Sequence, residues 1–373
     1  MKSKILLLFG ALLALLCGSC EGQQSGGEGD DTQLEGAISI ITDRNIIRTN
    51  GSDYATLTIL LTDSQGVIHD ISSEAEIYCG EDTTPLATPT FATTTEGSYE
   101  FYALYGFEVS NSVNIKAVDG IADIPADPHP ASTDFTHRML LIQHTGTGCP
   151  NCPQLMSILK ALSEDSAYAS RYHHVASHSY STLEEGDKAY SSAATLLSRT
   201  VNPGRIYPWL TFNLTDEYAH ESDDIKAAID RLHLPSAEVA IAASATLIDG
   251  SVYTNISVKA AKSNQYRVAV WLLEDSIAST QSSATASWQN IHNNCLREMV
   301  GENRTERIYG SNFGTIEQGK SLEQIIECPV TTDWRADNCE MLIIVSKSDG
   351  YGNFELVNCA LCPIGSSVEF AYN

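Results

Sequence analysis

Short runs in which apolar and polar residues alternate open the folded part of the chain. Ala37 to Ile41, Tyr54 to Thr62, Glu74 to Cys79, Ser98 to Leu104 and Asn111 to Val118 are β-rich and parted by turn residues. In Leu57-Thr58-Ile59-Leu60-Leu61-Thr62 and Val113-Asn114-Ile115-Lys116-Ala117, successive side chains would face opposite sides of a sheet. This predicts a β-sandwich over 36–120. The period then changes. Met139-Leu140-Leu141-Ile142 is a continuous apolar run of the kind a buried parallel strand shows, and Leu155, Ile158, Leu159 and Leu162 recur at helical spacing. Tyr172 to His178 predicts a second strand. Asp187 to Arg199 predicts a helix with Ala189, Ala193, Leu196 and Leu197 on one side. Ile206 to Phe212 sets a proline, Pro208, before another strand-like run. Ser222 can cap a last helix whose apolar face is Ile225, Ala228, Ile229 and Leu232, stopped by Pro235.

From Ala237 the pattern is again that of strands. Val239 to Ile248, Asp249-Gly250 and Val252 to Ala260 predict a hairpin. Val268 to Asp275, a run around Ile325, Met341 to Val345 and Phe354 to Cys362 are further strands. The chain therefore reads as multidomain α/β plus all-β. The expected boundaries are a leader over 1–19, a tether over 20–35, a sandwich over 36–120 and a linker over 121–134 stiffened by Pro125, Pro128 and Pro130. An α/β unit follows over 135–235 and a C-terminal β-rich, sandwich-like unit over 236–373.

The chemistry concentrates at Cys149-Pro150-Asn151-Cys152, which sits between the predicted strand and the predicted helix. Two thiols at this spacing can close a small disulfide ring and reopen it by exchange. Unpaired N–H groups and the positive end of the helix dipole favour thiolate there, so Cys149 is expected to be the accessible thiol with a depressed pKa. Pro150 suits a first helical position. Two other readings stay open. A structural disulfide needs no reactivity. A zinc site would need a second pair such as Cys359 and Cys362, but odd spacing in a strand sends those thiols to opposite faces.

Charge and cysteines narrow the class. The chain has 22 basic and 47 acidic residues among 373, a formal charge of −25. That argues against nucleic acid, whose phosphates need clustered Lys and Arg. Lys2 and Lys4 precede an apolar run to Cys17 that is too short to span a bilayer but right for a signal peptide. Ser19 before Cys20 fits lipidation of Cys20, as in bacterial lipoprotein signals, so attachment to a membrane through an N-terminal lipid is expected. Export implies an oxidising compartment. Cys339–Cys362 and Cys295–Cys328 are the expected structural bridges, because residues equidistant from a turn at Asp349 to Asn353, or from a loop near Gly310, would face each other. Cys79 is expected to be a buried free thiol.

The strand, Cys-x-x-Cys, helix order and the proline before a strand resemble the thioredoxin superfamily over about 135–235. That resemblance implies a cis-proline at Pro208 facing the cysteine pair, with Cys149 attacking and Cys152 resolving. It also implies protein thiols or disulfides as substrates, an unidentified redox partner and no cofactor. Gln143 stands where thioredoxins place a buried acid. His178 and His144 are candidates to tune the pair. His173, His174 and His178 lack a nearby carboxylate in sequence, so no metal is expected. Ile47 to Thr58 resembles bacterial immunoglobulin-like spacer domains. The order of lipid cysteine, thioredoxin-like unit, Trp271-Leu-Leu-Glu-Asp275, His292-Asn-Asn-x-Leu-Arg297 and Val357-Asn-Cys-Ala360 resembles the outer membrane protein 28 family. Glu274, Asp275, His292 and Arg297 could be a fold-defining polar cluster or a site. The function expected is thiol–disulfide exchange in the cell envelope; the alternative is a redox-inactive surface lipoprotein that binds or adheres.

Overall fold

The computed structural model describes residues 34–180, 186–215, 222–331 and 333–373. Cys20, the leader and nearly all of the tether lie outside the described residues. The fold is β-rich. Gly36–Thr42, Ala55–Asp63 and Ile68–Asp70 make one antiparallel sheet. Ile46–Arg48, Val113–Val118, Gly97–Tyr105 and Glu76–Cys79 make a second. Their inward residues share one core, in which Ile40, Leu57, Ile59, Leu61, Phe101 and Ile115 are fully buried. This is what the two-residue period requires of sheets with one face wet.

The rest of the chain is built on one large sheet. Its strands are β1 (Met139–Thr145), β2 (Tyr172–His178), β3 (Trp209–Phe212), β4 (Asn264–Glu274), β5 (Cys295–Met299), β6 (Ser311–Ile316), β7 (Cys339–Ser348) and β8 (Phe354–Pro363). The order is β3-β1-β2-β5-β4-β7-β8, with β6 sharing one edge of β4 with β5. β1 and β2 are parallel, β3 is antiparallel to β1, and β2 joins β5 in parallel through Ala176 and Cys295. The sheet therefore runs unbroken across residue 235, where the sequence suggested a division.

Alternation sorts the sheet's two faces. Leu140, Ile142, Val175, Trp271, Leu273 and Ile344 point to one side, under helix α2 (Ser192–Val201) and the short helix Arg304–Tyr309. On the other side, Met139, Leu141 and Phe212 pack beneath α1 (Cys152–Glu164) and α3 (Ser222–Leu232). Further along that side, Val268, Val270, Met341 and Ile343 meet a second sheet built on the hairpin Val239–Ile248 and Ser251–Ala260. Asp249 and Gly250 turn that hairpin at φ values of 47° and 82°, the paired positive angles of a two-residue turn.

The two expected structural bridges are not formed: Cys295, Cys328, Cys339 and Cys362 are free thiols, as are Cys79 and Cys359. A β-bulge between Val345 and Ser346 shifts the β7–β8 register, so Met341 stands opposite Cys362 and the Ile364 N–H donates to the Cys339 carbonyl. Cys295 lies in β5 of the central sheet, whereas Cys328 pairs with Val252 in the other sheet. Cys79 is only half-buried.

Candidate functional site

The Cys149–Cys152 disulfide is closed, with Cα atoms 5.5 Å apart, and is the one bridge among the described residues. It lies just past the carboxyl end of β1, the edge where a parallel sheet exposes its chemistry. α1 starts at Cys152 with Asn151 as its N-cap, so Pro153 rather than Pro150 occupies the first turn. Cys149 therefore precedes the helix. It is not the exposed thiol of the pair: Cys149 is 1% and Cys152 0% exposed.

Asp187 holds the loop from below, backed by two histidines. The Asp187 Oδ2 accepts the Thr147 N–H at 2.9 Å and lies 3.0 Å from His178 Nδ1, while its Oδ1 accepts the Ala189 N–H at 3.0 Å. Burial pushes the Asp187 carboxyl up, but the His178 contact and the two backbone N–H donors outweigh it and hold the carboxyl below its ordinary value. The His292 ring meets His178 edge-on at 4.8 Å, and its Nε2 lies 3.0 Å from the Ser279 carbonyl. Burial, then the His178 charge, lowers His292 to about 4. Gly146 allows the tight approach: a Cβ there would come within 2.7 Å of Tyr180 Cβ.

A second segment lies over the loop from outside. Between β4 and β5 the chain makes an excursion closed at its base by pairing of Ile277 with His292 and Ala278 with Ile291. Gln281, nearly buried, donates its Nε2 to the Cys149 carbonyl at 2.9 Å and to the Thr147 carbonyl at 3.2 Å. The Ser282 N–H donates to the same Thr147 carbonyl at 2.7 Å. Gln289, also buried, donates to the Pro153 carbonyl at 3.0 Å and Ser157 Oγ at 3.2 Å. Its Oε1 gathers the Thr285 and Ala286 N–H groups.

Beside these elements lies a cavity of about 560 Å³, walled by α1 through Met156, Leu159 and Lys160, by His174 and His178 of β2, and by Trp288 and the run Ile291 to Asn294. Gln143 lines it, and its Nε2 has no protein partner. Among the described residues no three His, Cys, Asp or Glu side chains gather in a way that could hold a metal ion.

The other expected residues are placed as follows. His144 turns to the α2 side of the sheet, between Ser198 Oγ at 3.1 Å and Thr211 Oγ1 at 3.2 Å, and burial lowers it to about 3. It does not approach the cysteines. His178 reaches their loop through Asp187 rather than directly. Pro208 follows a cis peptide bond and comes just before β3, whose Trp209 pairs with His144. Glu274 pairs with Arg297 at 3.2 Å, and the Asp275 carboxylate accepts the Asn294 N–H, so these residues brace the excursion's base. Asp187, Gln281 and Gln289 escaped the sequence reading. For the two glutamines the one available signal was the Ser/Thr/Gln-rich run from Ser279 to Gln289, whose single large apolar residue is Trp288, within a β-rich region.

No family model matches the chain, and no curated protein matches it in sequence. Among solved structures, HBP35 of Porphyromonas gingivalis is similar at a TM-score of 0.49 and 14% identity, over 63% of this chain and 77% of that one. The adhesin InvE of Yersinia pseudotuberculosis is similar at a TM-score of 0.17 and 9% identity, over 93% of this chain and 62% of that one. Neither likeness is close enough to bear on function.

Proposed function

We propose that this protein is an envelope lipoprotein, resembling the outer membrane protein 28 family, that exchanges disulfides through Cys149 and Cys152. In this reading a thioredoxin-like unit spans about 135–235, and the N-terminal sandwich is an immunoglobulin-like spacer above a lipid on Cys20. The observation that carries the reading is the closed Cys149–Cys152 pair between the end of a parallel strand and the start of a helix. The buried Asp187 carboxylate holds its loop. The flanking β3-β1-β2 order, with α1 and α3 on one face and α2 on the other, supports the thioredoxin-like assignment.

The chemistry balances without a cofactor. A substrate thiolate attacks Cys149 Sγ, the bond to Cys152 breaks, and Cys152 leaves as a thiolate that takes up a proton. A second substrate thiolate then attacks the mixed disulfide and releases Cys149. The substrate loses two electrons and two protons and gains a disulfide; the protein gains both. Run backwards, the same steps reduce a substrate.

The test is a trap. With Cys152 replaced by serine, a mixed disulfide on Cys149 should accumulate in envelope fractions and vanish on reduction. Replacing Cys20 with alanine should release the protein from membranes. Burial of both sulfurs favours a second reading, a structural staple in a surface binding protein. Failure to trap any partner would select it.

A further inference from the structure

We propose that residues 279–290 are a strap that closes the Cys149–Cys152 site, and that exchange waits on its local release. This rests on the exchange reading above, but its physical content is testable without it. The strap lays peptide-like contacts along the outer side of the Cys-x-x-Cys loop. Gln281 takes the Cys149 and Thr147 carbonyls, and the Ser282 backbone N–H takes Thr147 again. Gln289 fastens the far end to the first two turns of α1 at Pro153 and Ser157. Exchange needs an incoming thiolate in line with the S–S bond, and a sulfur on a residue 1% exposed offers no such approach.

The composition of the strap suits release rather than permanent cover. From Ser279 to Gln289 its residues are Ser, Thr, Gln, Ala and the half-exposed Trp288. Polar contacts therefore hold it, and each is matched largely by water once the strap lifts. Its base is better secured, by the Ile277 and Ala278 pairing and by Asp275 on the Asn294 N–H. Such a segment opens as a local unit, well below the cost of global unfolding. The geometry assigns Gln281 and Gln289 as its two clasps; they touch no reacting atom.

The experiment is reduction of the native disulfide by tris(2-carboxyethyl)phosphine, followed by alkylation and mass measurement. Gln281→Ala and Gln289→Ala should each speed reduction by roughly tenfold, the factor one net hydrogen bond supplies. Gln265→Ala, at an exposed site away from the strap, should leave the rate alone. Unchanged rates in both clasp variants overturn the proposal. Should the variants fail to fold, the wild-type protein decides. A reduction rate rising only shallowly with urea means local release, and one as steep as global unfolding overturns the strap. No biological partner enters this measurement, so a failed trap and a failed strap are separate results.

Discussion

His178 Nδ1 lies 3.0 Å from Asp187 Oδ2, with both side chains at most 1% exposed, and the same oxygen receives the Thr147 N–H. Removing that carboxylate strands two backbone N–H groups and the imidazole. Asp187→Ala should therefore cost about 3 kcal/mol in urea unfolding, and Asp187→Asn less, since the amide keeps one acceptor. The carboxyl sits below its ordinary value when folded, so the unfolded chain takes the proton first. Its stabilisation is full above the ordinary aspartate value of about 4 and fades as pH falls through the lower folded value. A cost below about 1 kcal/mol, the worth of one neutral hydrogen bond, would mean that Asp187 does not hold the loop.

Five histidines, three buried and two half-buried, act at higher pH. Burial lowers His137, His173, His174 and His292 to about 4 and His144 to about 3. Below the unfolded value of about 6.5 the unfolded chain binds protons that the folded chain refuses. Stability must then fall as pH drops from there toward 4, by at most about 1.4 kcal/mol per pH unit for each histidine. Urea midpoints at pH 7.5, 6 and 5 check this; a flat profile would mean that these rings are not held neutral.

A thiol census follows from the register. In denaturant without reductant, Cys79, Cys295, Cys328, Cys339, Cys359 and Cys362 should alkylate, while Cys149 and Cys152 should not. A Cys339–Cys362 peptide would contradict the β7–β8 pairing. The same elements show what was legible. The hairpin of Val239 to Ala260 could be read because its strands and its Asp249-Gly250 turn are local. The single unpaired residue, Val357 of β8 opposite Val345 and Ser346, could not, since nothing in the sequence of either strand marks where an extra residue is inserted, and it moves every partner beyond it. The Ala176–Cys295 pairing that carries the sheet past residue 235 joins segments distant in sequence, beyond the reach of any periodicity. Cys149 and Cys152 were legible from spacing. Their cover was not, because Gln281 and Gln289 belong to a run that reads as an ordinary loop.

Gln143 offers a sharper comparison. Its position follows from strand alternation, but its side chain is nearly buried with Nε2 unpartnered, lining the cavity below α1. An amide left so costs about 1–3 kcal/mol of desolvation. Gln143→Met keeps the length and removes the polar atoms, so it should raise stability by about 1 kcal/mol. A clear loss in urea unfolding would show that the amide has a partner in solution.

The proline-bearing linker should be fastened rather than free. Lys259, 3% exposed, reaches Asp127 at 2.8 Å, the Pro130 and His129 carbonyls at 2.9 and 3.2 Å, and the Tyr372 hydroxyl at 3.1 Å. One ammonium thus ties the linker and the chain's last residues to the hairpin strand Ser251–Ala260. Burial acts to lower its pKa, yet the Asp127 and Tyr372 contacts raise it above its ordinary value. The charge is therefore held through neutral pH and gives its stabilisation below the ordinary lysine value of about 10.4. Lys259→Met keeps the apolar stem and deletes the four contacts, leaving Asp127 with the Tyr372 hydroxyl at 2.7 Å and the His129 N–H at 2.9 Å. The expected result is new protease cleavage within residues 122–134 under native conditions, with the central sheet still folded. A linker equally resistant in the variant would mean that the three prolines alone make it stiff, as the composition first suggested.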